Sequence, residues 1–531
     1  MIRKAFFTLI LSSSLAVARA ADAPITWLLT YDGKSLPQEQ GWKPIGDLAT
    51  GYRVVGGALR IMDDSADKSG GFRATWKPDP TCETVIDVRV RVNSIKARKG
   101  GTGMWPWVDG SPIALMVSDG RFQEGVVFRE DKVTNFLDRI AMIDAGKEFH
   151  TYRVVILGND MSIAVDGQQK IRGEGAFWKP ADTPQAFVQF GSTSKQWMGE
   201  SDWSSVRLGI RKASTTAAAK PMLRISVSES WEIQQPEGIR CTRPYLYNVG
   251  QGLLLMSVAQ GPDKFMEPYG VLRSTDAGKT WSPVDGLQQK TFAPQPMIRL
   301  ADGAILGVSR WSVRYDDGSH VGMSYRFEPD TKRFTMYESK ITTLPKLGDN
   351  NLMMFERQIF DLGGGKHVLT VRNRQRGASH RPNSESFLMQ SDDAGRTWTH
   401  FSTIGPGAEP TVARISDTEM TAVLRMSGPF QQRWSKDGGR TWSEPVTLEV
   451  GSVDADLTMM SNGVLACSYG RPGSNLMFSV DGGKNWINHS VITDRSGFNY
   501  TSVQEISPGR LLYVHDAPKL RALYVDVERV K

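Results

Sequence analysis

From Ile25 to about Arg211, apolar and polar residues alternate in short runs, as in Thr84–Val92 (TVIDVRVRV), His150–Leu157 (HTYRVVIL) and Met161–Asp166 (MSIAVD). A period of two turns one face of each run to a core and the other to water, which predicts strands and no helical stripe. Short strands continue beyond Met222, now with a repeat. Ser-x-Asp-x-Gly-x-Thr-Trp occurs at Ser274–Trp281, Ser391–Trp398 and Ser435–Trp442, and with Asn for Thr at Ser479–Trp486. Each copy concentrates turn chemistry: an Asp whose carboxylate can accept backbone N–H groups, a Gly free to take positive φ, and a Trp to anchor the next strand. The last three copies start 44 residues apart, a period typical of one four-stranded propeller blade. The first gap, 117 residues, leaves room for a blade whose turn has drifted, and Tyr325–Tyr337 is the segment expected to hold that turn.

Thr215–Pro221 (TTAAAKP) is small, polar and proline-ended, so it reads as a connector. The expected division is a sandwich domain over 22–212, a linker over 213–221 and a propeller over 222–531. The propeller's 310 residues at roughly 45 to 55 per blade make six blades. Leu223–Val227 and Ala522–Val527 are expected to pair in one blade, closing the ring and removing exposed sheet edges.

Residues 1–20 (MIRKAFFTLILSSSLAVARA) combine a basic start, an apolar stretch and Ala-Arg-Ala, the pattern of a secretory signal peptide. The expected location is secreted or periplasmic, with no membrane span after cleavage, because no other stretch approaches 18 consecutive apolar residues. The formal charge of +7 falls to +4 once Arg3, Lys4 and Arg19 are removed. That weak bias suits an acidic glycan and equally an ordinary solvated surface. No dense Lys/Arg run with interleaved aromatics occurs, so nucleic acid is not an expected partner. Cys82, Cys241 and Cys467 are odd in number and far apart, which predicts buried free thiols. The seven histidines lack metal-ligand spacing, Gly363-Gly364-Gly365 reads as a hairpin turn, and Asp454-Ala455-Asp456 has no partner motif. No metal or cofactor is therefore expected, and a monomer is.

The octapeptides resemble the Asp boxes of the sialidase (neuraminidase) superfamily, whose BNR-repeat propellers have six blades. The N-terminal pattern, from Asp32-Gly33-Lys34-Ser35-Leu36 to the closing Val206–Ile210, resembles the concanavalin-like jelly roll of secreted carbohydrate-active proteins. Together these imply an all-β chain, a concanavalin-like β-sandwich followed by a six-bladed β-propeller. Asp boxes sit on the outer rim of that fold, so they speak to architecture and not to chemistry. The jelly roll implies a glycan-binding or structural module, in which Trp105, Trp107 and Trp178 read either as a sugar platform or as core.

The sialidase resemblance also implies a site. A sialoside carries a carboxylate on its anomeric carbon, which calls for several guanidiniums in forked, charge-assisted contact. Arg243 in Thr242-Arg243-Pro244 resembles the family's first arginine, with Arg240 as the alternative. Arg425, sixteen residues after Glu409 in Glu409-Pro410-Thr411-Val412, resembles the second, and Arg471 in Tyr469-Gly470-Arg471-Pro472 the third. Tyr500, opening YTSVQEISPGRLLYVHD, resembles the nucleophile, because a carboxylate nucleophile would be repelled by the substrate's own charge. Asp516 stands where the family places a Glu that orients the first arginine. Glu409 would take the phenolic proton, and Asp263 or Glu267 would protonate the leaving group, Asp263 preferred. Arg310, Arg314, Asp316, Glu356, Arg357 and Arg372 read either as pocket-lining groups or as rim ion pairs. The implied activity is retaining exo-hydrolysis of terminal sialic acid or a related 2-keto-3-deoxy sugar acid, with sialylated or other acidic glycans as partners. Two other readings stay open: a propeller that binds glycans without turnover, and a glycosidase or lyase acting on uronate-containing polysaccharide.

Overall fold

The computed structural model describes residues 24–530 apart from 48–50, 65–68, 98–112, 136–139, 145–147, 174–175, 178–180, 193–196, 213–221, 236–239, 261–268, 288–292, 316–318, 330–332, 344–350, 376–383, 449, 452, 472 and 494–497. Asp263, Glu267, Asp316, Trp105, Trp107, Trp178, the signal segment and the linker lie outside the described residues.

The alternating N-terminal runs form two antiparallel sheets. In the first, Cys82–Ala97 pairs with Trp197–Lys212 and, on its other side, with His150–Leu157. In the second, Ala114–Ser118, Gln123–Phe128, Phe187–Ser192 and Gly70–Thr75 are neighbours. Alternation decides which side chains meet. Ile86, Val88 and Val90 face Phe72, Leu115, Phe128 and Phe190 in one core with Tyr152 and Trp203. Asp87, between two of them, points outward and takes Arg153 and Arg207 at 2.7 and 3.0 Å.

Beyond Leu223 the described strands form five sheets that make six blades around a channel, two blades being joined in one nine-stranded sheet by the parallel pairing of Arg333–Thr343 with Thr397–Pro406. Their innermost strands are Cys241–Asn248, Pro294–Arg299, Asn351–Asp361, Ala408–Arg414, Val453–Met459 and Thr501–Ser507, for blades I to VI in turn. The expected closure is present: Leu223–Val227 pairs antiparallel with Arg521–Arg529 as the outer part of blade VI. Within the segment expected to hold the drifted turn, His320–Glu328 pairs antiparallel with Arg333–Thr343 in blade II, and residues 330–332 between them lie outside the described residues.

The four octapeptides share one bonding scheme. In the first, Ser274 Oγ donates to Asp276 Oδ1 at 2.7 Å and accepts from the Gly278 N–H at 3.0 Å, while Thr280 donates its backbone N–H and hydroxyl to the same Asp. At Asp481 the Asn485 side chain donates at 2.7 Å in place of the Thr hydroxyl, so the substitution keeps the turn. Each turn also bonds to the preceding blade. Ala277 O accepts from Tyr524 of blade VI, Ala394 O from Tyr337 of blade II, Gly439 O from Ser402 of blade III, and Gly482 O from Trp434 of blade IV. These turns are inter-blade staples.

All three cysteines are free, as expected, but Cys82 is half-buried at a strand end and not in a core. No helix among the described residues is long and apolar enough to cross a membrane.

Candidate active site at the channel mouth

The inner strands do not run straight into the channel. In blades I, II, IV and V the register slips by one residue, between Thr242 and Tyr245, Pro294 and Met297, Ala408 and Thr411, and Val453 and Asp456. In blade III it slips by two, between Phe355 and Ile359. A bulge frees one residue from the ladder and re-aims its side chain. The freed positions hold Arg243, Gln295, the pair Glu356 and Arg357, Glu409 and Asp454, while blade VI brings Tyr500 just ahead of its inner strand. Arg310, Arg425 and Arg471 end or follow the second strands of blades II, IV and V, and Arg372 lies within that of blade III, where it pairs with Met354.

The backbone at this mouth is strained. Arg243, Glu409, Asp454 and Arg471 have φ of 50°, 44°, 45° and 54°, and Asn499, beside Tyr500, has 56°. Left-handed backbone costs a non-glycine residue roughly 1–3 kcal/mol and persists where surrounding structure enforces it, typically at functional sites.

Of the residues the sequence nominated, the mouth assembles Arg243, Glu409, Arg425, Arg471, Tyr500 and Asp516. Arg425 Nη1 donates to both carboxylate oxygens of Glu409 at 2.7 Å. Its Nε is buried and has no hydrogen-bond partner among the described residues. The guanidinium carbons of Arg243 and Arg471 each lie 5.3 Å from the centre of the Tyr500 ring, within cation–π range. Arg471 Nε donates to Phe498 O at 2.7 Å. Asp516 contacts the site through main chain: Oδ2 accepts from the Arg243 N–H at 2.8 Å and Oδ1 from the Tyr500 N–H at 2.9 Å. One carboxyl therefore sets the approach of two blades. Arg240 lies outside the cluster, exposed and over Phe498.

Burial dominates the electrostatics. It pushes Asp516 up to about 6, against the two N–H groups and the arginines that favour its charge. Burial raises Glu356 too, opposed by Arg372 and Arg310, and draws Arg471 down. For Arg425 burial acts downward, but Glu409 and Tyr500 outweigh it and hold the guanidinium above its usual range.

The charges of blades II and III settle an alternative the sequence left open. Arg310, Glu356, Arg357 and Arg372 are each buried, so they are not exposed rim pairs, and the side chain of Arg314 lies outside the described residues. Arg372 Nε lies 2.6 Å from Glu356, and Nη1 lies 3.9 Å from Glu409. Asp454 and Asp456, dismissed for want of a partner motif, have one in Arg357. Its Nη2 reaches Asp454 at 2.7 Å and its Nη1 reaches Asp456 at 3.3 Å, while its guanidinium stacks 4.4 Å from the Tyr245 ring centre. The partner comes from another blade, which no local motif could reveal. Arg357 and Asp456 of this hub line a cavity of about 410 Å³, which runs down the inner strands past Tyr247, Gln358, Ser502 and others, away from Tyr500. One missed position did leave a signal: Gln295-Pro296, like Arg243-Pro244 and Glu409-Pro410, puts a polar residue before Pro at an equivalent place in its blade. Among the described residues no cluster of three or more His, Cys, Asp or Glu could hold a metal ion.

Residues 365–514 match the family model described as a BNR repeat-like domain. Among curated proteins none matches the chain. Similar solved structures include a Dyadobacter fermentans protein of unknown function, 16% identical over 58% of this chain and 100% of its own, with a TM-score of 0.47. A Hadza microbial sialidase is 13% identical over 88% of this chain and 97% of its own, with a TM-score of 0.46. A Penicillium chrysogenum α-L-arabinanase complexed with arabinobiose is 16% identical over 56% of this chain and 98% of its own, with a TM-score of 0.43.

Proposed function

We propose that this chain, whose residues 365–514 match the BNR repeat-like domain and whose four octapeptides resemble the Asp boxes of the sialidase superfamily, is a retaining glycoside hydrolase. Its substrate is a glycan ending in sialic acid or a related 2-keto-3-deoxy sugar acid, met outside the cytoplasm. The observation that carries the proposal is the placing of Tyr500 between two guanidiniums at 5.3 Å, beside the Arg425–Glu409 pair. Arg243, Arg425 and Arg471 present positive charge from three blades. A substrate carboxylate would offset the desolvation that draws Arg471 down, and would find Arg425 Nε open.

In the first step Tyr500 Oη bonds to the anomeric carbon as the bond to the aglycone oxygen breaks. The phenolic proton passes to Glu409, and Asp263 or Glu267 gives a proton to the leaving oxygen. Water then displaces Tyr500, losing its proton to the same acid, and Glu409 returns the phenolic proton. Arg243 and Arg471 stabilise negative charge as it develops on the phenol oxygen. One observation favours a second reading, glycan binding without turnover: both carboxylate oxygens of Glu409 are already engaged by Arg425 at 2.7 Å.

The test is release of free sialic acid from mixed α2,3- and α2,6-linked sialosides by the mature protein and its Tyr500→Phe and Arg425→Ala variants. The hydrolase requires release by the parent, a loss on the order of 10³-fold or more in Tyr500→Phe, and a large loss in Arg425→Ala. Binding of the same sialosides by an inactive parent, lost in Arg425→Ala, would establish the second reading instead.

A further inference from the structure

Blades V and VI part around a second cavity, of about 360 Å³, where His515, Arg521, Ser230 and Thr493 stand beside the apolar Ile492 and Leu523. Strand pairing sets it outside the channel. Thr501, next to Tyr500, pairs with His515 on the second strand of blade VI, and His515 pairs with Arg521 on the third. The two side chains therefore share one face of the sheet. His515 is 3% exposed. Its Nδ1 accepts from the Ala517 N–H at 3.4 Å, which puts the hydrogen of the neutral ring on Nε2. Burial, with the charge of Arg521, draws this imidazole down to about 4, so at pH 7 it is neutral. Among the described residues Nε2 donates to none. Arg521 donates Nε to Ser230 Oγ at 3.1 Å and Nη2 to Ser230 O at 2.7 Å, both neutral acceptors. Glu232, its cross-strand partner, is taken by Lys519 at 2.9 Å. Among the described residues no carboxylate lies within ion-pair distance of Arg521.

The cavity thus meets an uncompensated guanidinium, a buried N–H donor and two hydroxyls, with no carboxylate among its described lining side chains. We infer that this cleft between blades V and VI binds a small oxyanion, a carboxylate or a phosphate, at a place separate from the channel mouth. Arg521 supplies the charge and N–H groups in forked geometry. His515 supplies a donor whose position is fixed by burial, and the hydroxyls of Ser230 and Thr493 can turn to donate. The volume is about twelve times the roughly 30 Å³ share of a liquid water, so the anion has room for a small body against Ile492 and Leu523. His515 also precedes Asp516, whose carboxyl takes the N–H groups of Arg243 and Tyr500. An occupant therefore sits one residue from the group that ties blades I and VI together.

The inference does not depend on the hydrolase reading, and the experiment measures binding without turnover. Tm of the mature protein is followed through titrations with inorganic phosphate and with acetate, each against sodium chloride at equal ionic strength. At tenfold excess over Kd one site should raise Tm by about 2–3 °C, and the anion with the tighter Kd names the source. A rise that chloride reproduces is general salt stabilisation and would overturn the site. The mouth, with its own arginines, is the competing location, so variants decide where the anion sits. Arg521→Gln removes the charge and His515→Leu the buried donor. Each should weaken binding about 10- to 100-fold, whereas Arg425→Ala should leave it unchanged. Binding lost in Arg425→Ala and kept in Arg521→Gln would place the anion at the mouth and overturn the inference. Binding weakened in Arg521→Gln but unchanged in a folded His515→Leu would reduce the cleft to a surface charge, and would overturn it too. Arg521→Gln alters only a partly exposed side chain, so it carries the test even where His515→Leu does not fold.

Discussion

The rim and the mouth of the propeller are built from the same strands and show opposite economies. On the rim, four turns repeat one sequence and one bonding scheme, and their buried Ser hydroxyl and Gly N–H are bonded to each other. At the mouth, equivalent bulge positions hold Arg, Gln, Glu and Asp, the Arg, Glu and Asp on strained backbone, with buried charges bound across blades. Repetition marks what every blade needs in order to stand beside its neighbour. Divergence at equivalent positions marks what the assembled ring does once.

The sharpest way to break this comparison is at the hub. Arg357 holds Asp454 and Asp456 with all three side chains almost fully buried. Arg357→Met would strand two carboxylates, and removal of one partner from a buried ion pair costs about 3–5 kcal/mol. Urea unfolding should show that loss, and adding Asp454→Asn should restore part of it, a coupling that a double-mutant cycle measures. Additive losses would mean that the three groups are independent and that the mouth is no more cooperative than the rim.

The contrast also explains what was readable in the chain. Strand alternation and the octapeptides are local signals, so the all-β class, the turns and the ring closure could be read from runs such as TVIDVRVRV and the 44-residue period. Arg425 and Tyr500 were found through resemblance, because each sits in a stretch with its own pattern. Arg357 and Gln295 were not resolved. Their meaning lies in a bulge, which is a matter of register between two strands, and in partners from other blades. Asp516 was expected to orient Arg243, and its contacts run to the backbone N–H groups of Arg243 and Tyr500, which carry no residue-specific signal.

A smaller effect is expected from Asp516. Burial lifts it to about 6 in the fold, above its ordinary value near 3.8. Its contribution to stability is therefore full below about pH 4 and lost as pH rises through about 6, an effect of up to roughly 3 kcal/mol. His515 beside it acts in the other direction. Burial draws it down to about 4, so its contribution is full above pH 6.5 and lost as pH falls toward 4. The two offset one another between pH 4 and 6. In Asp516→Asn only the His515 trend remains, so Tm should fall more steeply on acidification than in the parent protein. Parallel Tm profiles would show that Asp516 does not change its protonation in this range.

The smallest effect belongs to the rim, and there stability and activity should separate. Ser435 Oγ accepts from the Gly439 N–H at 2.8 Å and donates to Asp437 Oδ1 at 2.8 Å, in a turn fixed against blade III. Ser435→Ala leaves a buried N–H without its partner, a cost of about 1–2 kcal/mol. The turn lies at the far end of blade IV's strands from Glu409 and Arg425, so kcat/KM of the folded fraction should stay within about two-fold of the parent. Tm and kcat/KM measured together decide the matter. A fall in both would tie the rim turn to the geometry of the mouth and end the separation of the two regions, whereas a fall in Tm alone confines these repeats to holding the blades.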